Sequence, residues 1–315
     1  MNAKTLYWLI RREFWEHRGG FIWAPAVTGG IFLLMTILAI VTGEVLGRHT
    51  WNGINWDASH HIGPDDMKKF GMFLDGMMGV SAIAVIGVMA IVVFFYCLGS
   101  LYDDRKDKSI LFWQSLPIAN WKTVASKVVS AAIIAPAIAA TAGVIAGLVM
   151  ILLTACVASI HGINVWAALS TAHPLKLILN IIGLIPLYAL CALPTIGWLM
   201  LCSAWARSKP FLWAFIIPLA GTFAVWWLHL IGISDLSAAW VFWHIATKML
   251  FAIGPGNWMA FVDPVRTGSQ DEVFEHLSLL HNYSALGSIE LWLGVAAGTA
   301  MLTGATWLRR WRNDS

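Results

Sequence analysis

The sequence predicts an all-α polytopic membrane protein, a bundle of about six transmembrane helices. Three observations carry this. Of 315 residues, 59% are hydrophobic and only 12% charged, against roughly 45–50% apolar and about 25% charged content in ordinary soluble domains. The apolar residues gather into runs longer than about 18, the length that crosses a hydrocarbon core of about 30 Å at 1.5 Å per helical residue. Finally, runs such as residues 83–95 are apolar on every face, whereas a transmembrane barrel alternates over segments of about ten residues.

The first element is a helix over residues 5–18 lying in the cytoplasmic interface. Leu6, Ile10 and Phe14 share one stripe while Arg11, Arg12 and Glu16 point elsewhere. Gly19-Gly20 then breaks the helix, and Trp8, Trp15 and Trp23 suit headgroup depth, where an indole can be half wet. The segment does not read as a cleavable leader, because Lys4, Arg11 and Arg12 sit among Trp and Phe and the apolar run that follows is too long. The first span is therefore expected to be retained. Residues 1–20 are read as the interface helix and 21–315 as the transmembrane domain.

Hydropathy places spans at about 21–45, 76–101, 128–159, 176–205, 211–232 and 288–308. Of the twenty Lys and Arg residues, fourteen fall on one side; only Arg48, Lys68, Lys69, Lys176, Lys248 and Arg266 fall on the other. The positive-inside rule then makes both termini cytoplasmic in a multi-pass protein of the cell's inner (plasma) membrane. Pro136, Pro186, Pro194 and Pro218 are expected to kink or loosen their spans. Gly143 with Gly147, and Gly294 with Gly298, are small-residue pairs four apart that let helices approach closely.

Outside, the loop 46–75 holds His49, Asp57, His60, His61, Asp65 and Asp66. Adjacent histidines point apart in regular structure, and no His pair four apart accompanies them, so no metal site is expected. The connection 233–287 contains a short apolar stretch, 240–253, closed by Gly254-Pro255-Gly256. It is too short to cross and fits an outer interfacial or re-entrant helix, with Trp240, Trp243, His244 and Lys248 supplying amphipathic and polar groups. Cys97, Cys156, Cys191 and Cys202 form no paired motif and are expected to be core packing. Ionisable residues are nearly absent from mid-span, His229 and Glu290 lying toward outer ends. That argues against a proton- or ion-coupled carrier.

Nucleic acid is not an expected partner, since the net charge is +3 and no basic block is interleaved with aromatics. No catalytic residues are assigned. The most informative segment is the cytoplasmic connection 102–127, YDDRKDKSILFWQSLPIANWKTVASK. Asp103 to Lys108 form a mixed-charge cluster able to make surface ion pairs that orient the chain. Next, Ile110, Leu111, Phe112 and Trp113 expose an apolar knob before Ser115-Leu116-Pro117 ends the turn, and Asn120 is placed to cap the next helix. Such a knob is costly in water, so it folds back on the bilayer or fills a groove on a partner.

This layout resembles the permease subunits of type-2 ABC transporters. The resemblance rests on Arg11-Arg12-Glu13-Phe14-Trp15 in the interface helix and on the pattern Tyr102, Asp104-Arg105, Phe112-Trp113, Ser115-Leu116-Pro117 and Lys127. It rests also on six spans with a long outer connection before the sixth. It implies that residues 109–116 form a coupling element docking on a separate cytoplasmic ABC ATPase, and that 240–253, with Trp240, Trp243 and His244, caps the exit. It implies further a second permease copy or a sister permease, contact with membrane lipid, and export of a cargo driven by a separate ATPase. No G-x-x-x-x-G-K-[ST] occurs, so ATP and Mg would belong to the partner and no cofactor is expected here. Two alternatives remain: an intramembrane enzyme acting on lipid or peptide, drawing on the outer His and Asp residues and Asp263, or a non-transporting scaffold or sensor.

Overall fold

The computed structural model describes residues 3–45, 50–51, 54–55, 64–107, 119–161, 172–233, 235–262 and 279–311. The protein is an all-α polytopic bundle. Among the described residues six helices are long and apolar enough to cross a membrane: Gly19–Val45, Met67–Lys106, Asn120–Ile160, Pro174–Trp205, Pro210–Leu230 and Ile289–Arg309. Helices suit this role because each closes its backbone hydrogen bonds within one segment. A helix Ala3–Glu16 precedes them, and a two-residue antiparallel pair, Thr50–Trp51 with Ile54–Asn55, lies between the first two spans.

The second and third spans run for 40 and 41 residues, about 60 Å at 1.5 Å per residue and twice a hydrocarbon core. Hydropathy places their ends too close together. Phe70, Leu74 and Met78 are all buried, so one helical stripe runs through the polar residues around Asp75 without interruption. The connection read as 102–127 is correspondingly shorter, since helices occupy Tyr102–Lys106 and Asn120–Val129. Asn120 does not cap: the N-cap is Ala119, in extended conformation, and Asn120 is the first helical residue.

By packing, the chain forms two compact units. One comprises Gly19–Met89 and Ala137–Gly183. There the small-residue pair acts as spacing predicts: a Cβ at Gly143 would lie 2.8 Å from Ala82 Cα, and one at Gly147 3.0 Å from Met78 Cα. Buried Asp75 accepts the His173 backbone N–H at 3.0 Å, an ionisable group that hydropathy assigns to a loop.

The other unit comprises Met1–Arg18, Ala90–Pro136 and Leu184–Ser315. Its main helix pair is Ile185–Trp205 with Ile289–Trp311. A Cβ at Gly197 would meet the Gly298 carbonyl at 2.5 Å, and one at Gly298 would meet the Leu193 carbonyl at 2.6 Å. Pro194 lies inside its helix, against Gly294. Pro186 instead starts its helix, after a turn at Leu184, where the missing donor costs nothing. Pro136 follows a π turn, Ser130–Ile134, because it cannot donate to the carbonyl four residues back. Cys97, Cys191 and Cys202 are buried, but Cys156 is exposed and is not core packing.

The short helix between spans five and six runs through Ala238–Val241, a π turn Phe242–Ala246 and Thr247–Phe251. Its end is fastened to span four. Thr195 donates to the Lys248 carbonyl at 2.7 Å and accepts the Ala252 N–H at 3.0 Å, while Tyr188 donates to the Ile253 carbonyl at 2.7 Å. Gly256 then takes a positive φ of 75°, as the turn requires.

Candidate functional site

The N-terminal helix buries Leu9 and Glu13 within the protein, while Leu6, Ile10 and Phe14, the stripe read as interfacial, are half-buried. Helical spacing aligns Leu9 and Glu13 four residues apart, and this face packs on Asn120–Val129. Glu13 is 1% exposed, so its carboxylate must find compensating charge inside the protein. The compensation comes from Lys127, itself 2% exposed, whose Nζ lies 3.2 Å from Glu13 Oε1 and 3.3 Å from Oε2. Tyr96 donates its hydroxyl to Glu13 Oε2 at 3.0 Å.

Lys127 also reaches Asp104 Oδ1 at 3.6 Å, and Arg309 Nη1 lies 3.4 Å from Asp104 Oδ2. Both Asp104 and Arg309 are buried. The four charges therefore alternate in sign, Glu13, Lys127, Asp104, Arg309, and sum to zero. Asp104 does not make the surface ion pair its sequence context predicts. The physical reason is that the helix carrying it continues past the apolar run, and the Asn120–Val129 and Ile289–Trp311 helices close over its last turn.

Arg105 is likewise partly buried. Its Nη2 donates to the carbonyls of Ser203 at 2.6 Å and Ala206 at 3.0 Å, the free carbonyl end of span four, where a cation is electrostatically favoured. Ser203 Oγ in turn accepts the N–H groups of Leu101 at 3.1 Å and Tyr102 at 2.9 Å. These donors lie where the helix Pro64–Ser100 gives way to Tyr102–Lys106.

The other residues of the N-terminal motif make further contacts of their own. Arg11 lies over the Trp8 ring at 5.1 Å, Arg12 pairs with Glu16 at 3.0 Å on a more exposed face, and Phe14 and Trp15 meet edge to face. Trp15 is exposed and carries Arg18 over its ring. In the short helix Trp240 stacks on His244 with centroids 4.8 Å apart, and Trp243 is exposed. Ile110, Leu111, Phe112, Trp113, Ser115, Leu116 and Pro117 lie outside the described residues, as do His49, Asp57, His60, His61 and Asp263. Among the described residues no three His, Cys, Asp or Glu side chains stand together to hold a metal.

The chemistry of this cluster is electrostatic. It ties the N-terminal helix to the ends of spans two, three and six, with span four joined through Arg105. Displacing one of these ends alone would strand a buried charge, and breaking a buried pair typically costs about 3–5 kcal/mol. The sequence signal for Asp104, Arg105, Lys127 and Glu13 was their place in a motif. Arg309 carried no signal beyond being one of three arginines after the last span, and Tyr96 and Ser203 none beyond a lone polar group near the end of an apolar helix. Comparison with protein-family models, curated proteins and solved structures finds no match.

Proposed function

We propose that this chain is the permease subunit of an ATP-driven transporter of the type-2 ABC kind, an exporter worked by a separate cytoplasmic ATPase. The observation that carries the reading is the pair of roots on either side of residues 108–118. Asp104 and Arg105 precede that segment and Lys127 follows it; Asp104 and Lys127 are held by buried ion pairs and Arg105 by part-buried hydrogen bonds to span-four carbonyls. Between the roots stands the apolar run Ile110-Leu111-Phe112-Trp113, suited to filling a groove on a partner. A force applied there would be delivered to five helix ends together instead of being lost in a slack loop.

In this reading Phe112 and Trp113 are the groove-filling anchors, and both roots, with the N-terminal helix, face the cytoplasm of the cell's plasma membrane. ATP and Mg are bound by the ATPase. Closure of an ATPase pair shifts two permeases, identical or sister copies, between inward and outward access. Spans one, five and six bury only 17%, 11% and 17% of their most apolar windows, which leaves faces for lipid and for the second permease.

The test begins with co-purification of the native ATPase and reconstitution of the assembly. Trp113→Ala is expected to lower cargo-dependent transport while membrane insertion and assembly of the six spans stay normal. Transport at the unsubstituted rate would count against the docking role, and isolation of the chain with no ATPase under mild extraction would remove the transporter reading altogether.

A further inference from the structure

Within the unit that holds the charge cluster, a recess of about 510 Å³ lies between spans four and six and the short helix 238–251. That volume falls in the range of about 300–1,000 Å³ typical of small-molecule sites. Its polarity is graded. At one end stand Lys248 and Glu290, paired at 2.8 Å, with His244 beside them on the rim. Away from that end the walls are Leu190 and Pro194 of span four, Ile245 and Met249 of the short helix, and Leu293 and Met301 of span six. Glu290, Leu293, Ala297 and Met301 form one stripe along span six, and from Glu290 to Met301 the helix rises about 16 Å. The recess is thus ionic at the mouth and hydrocarbon-like beyond it. It is also preformed, because Thr195 pins the backbone at Lys248 and Ala252.

We propose that this recess binds a single phospholipid with a zwitterionic head bearing a primary ammonium, of the phosphatidylethanolamine type. An acyl chain would lie along the span-six stripe and the head at the Lys248–Glu290 pair. The charges choose the head. Lys248 has three donors and Glu290 two acceptor oxygens, so each can hold its partner and a ligand group at once. The phosphate is taken by Lys248 and the ammonium by Glu290, whose side chain is 57% exposed. An anionic lipid without an ammonium would set its charge against Glu290 and gain nothing there. A quaternary ammonium has no N–H to donate to the Glu290 carboxylate, whereas a primary ammonium has three, so only the latter can make the charge-assisted hydrogen bond there. The proposal rests on the membrane-spanning fold and is independent of the transporter reading.

The experiment uses the purified full-length chain without any ATPase, in nanodiscs containing equal fractions of phosphatidylethanolamine, phosphatidylcholine and phosphatidylglycerol. One of the three at a time carries a photoreactive acyl chain, and labelled peptides are mapped by mass spectrometry. The ethanolamine lipid is expected to label residues 238–261 and 289–301 several-fold more than the other two. Glu290→Gln, a change at a half-exposed position, should abolish that preference. Ala297→Trp, which fills the recess without touching a charge, should remove labelling by all three while labelling elsewhere on the bundle persists. Equal labelling by the three lipids, or a preference indifferent to both substitutions, overturns the proposal and leaves the ATPase question untouched.

Discussion

Lys127 shows how far a single residue can depart from its sequence context. In sequence it is the last member of a loop pattern, just ahead of a span. In the fold it is buried between two carboxylates, Glu13 and Asp104, and its removal would leave both without their shared cation. Lys127→Met is therefore expected to destabilise the protein by about 3–5 kcal/mol, read as a drop in the midpoint of thermal unfolding in detergent. Combining it with Glu13→Gln should cost less than the sum of the two single changes, because the second removes one of the charges the first leaves unpaired. Strict additivity would mean that the two side chains do not interact as the geometry describes. Asp104 and Arg105 were recognisable as motif residues. Their burial was not, since a run of Asp, Arg and Lys looks the same whether water or other helix ends surround it.

At the scale of elements, glycine has opposite meanings at positions that look alike in sequence. Gly30 sits in span one with open space where a Cβ would point, whereas a Cβ at Gly298 would press on the Leu193 backbone at 2.6 Å. Gly30→Ala is expected to leave the unfolding midpoint unchanged or slightly raised. Gly298→Ala should cost about 1–3 kcal/mol through overpacking of spans four and six. Equal responses at the two sites would show that the span four–span six approach is looser than described. The spacing of Gly294 and Gly298 pointed to a close contact, yet it could not name the partner, which is the stretch around Leu193 and Pro194. The short helix was legible as an element because its apolar stretch is too short to cross. Its fastening through Thr195 and Tyr188 was not, since those residues lie about 50 or more positions away in the chain.

For the whole molecule, the proposed orientation makes a direct prediction. With six crossings, residues 108–118 share a side with the N-terminal helix, and the connections after spans one and five lie opposite. In a background where Cys97, Cys156, Cys191 and Cys202 are replaced, Ser59→Cys and Ser269→Cys should react with a membrane-impermeant thiol reagent in intact cells. Ser109→Cys should react only after permeabilisation. Labelling of Ser109→Cys in intact cells would reverse the orientation and remove the basis for cytoplasmic ATPase docking.

Composition and run length alone determined that this is a helical protein of about six crossings, because the cost of exposing backbone polar groups to hydrocarbon leaves a long apolar chain few other choices. They also located the short helix and the apolar run 110–113. Tertiary structure alone decided which polar groups are buried and with whom. Glu13, Asp104, Lys127 and Arg309 come from four separate stretches of chain, and the pairing of Lys248 with Glu290 joins two more. A charge can be buried only where its counter-charge is also delivered, and that delivery depends on how distant helix ends pack, which local hydropathy does not record.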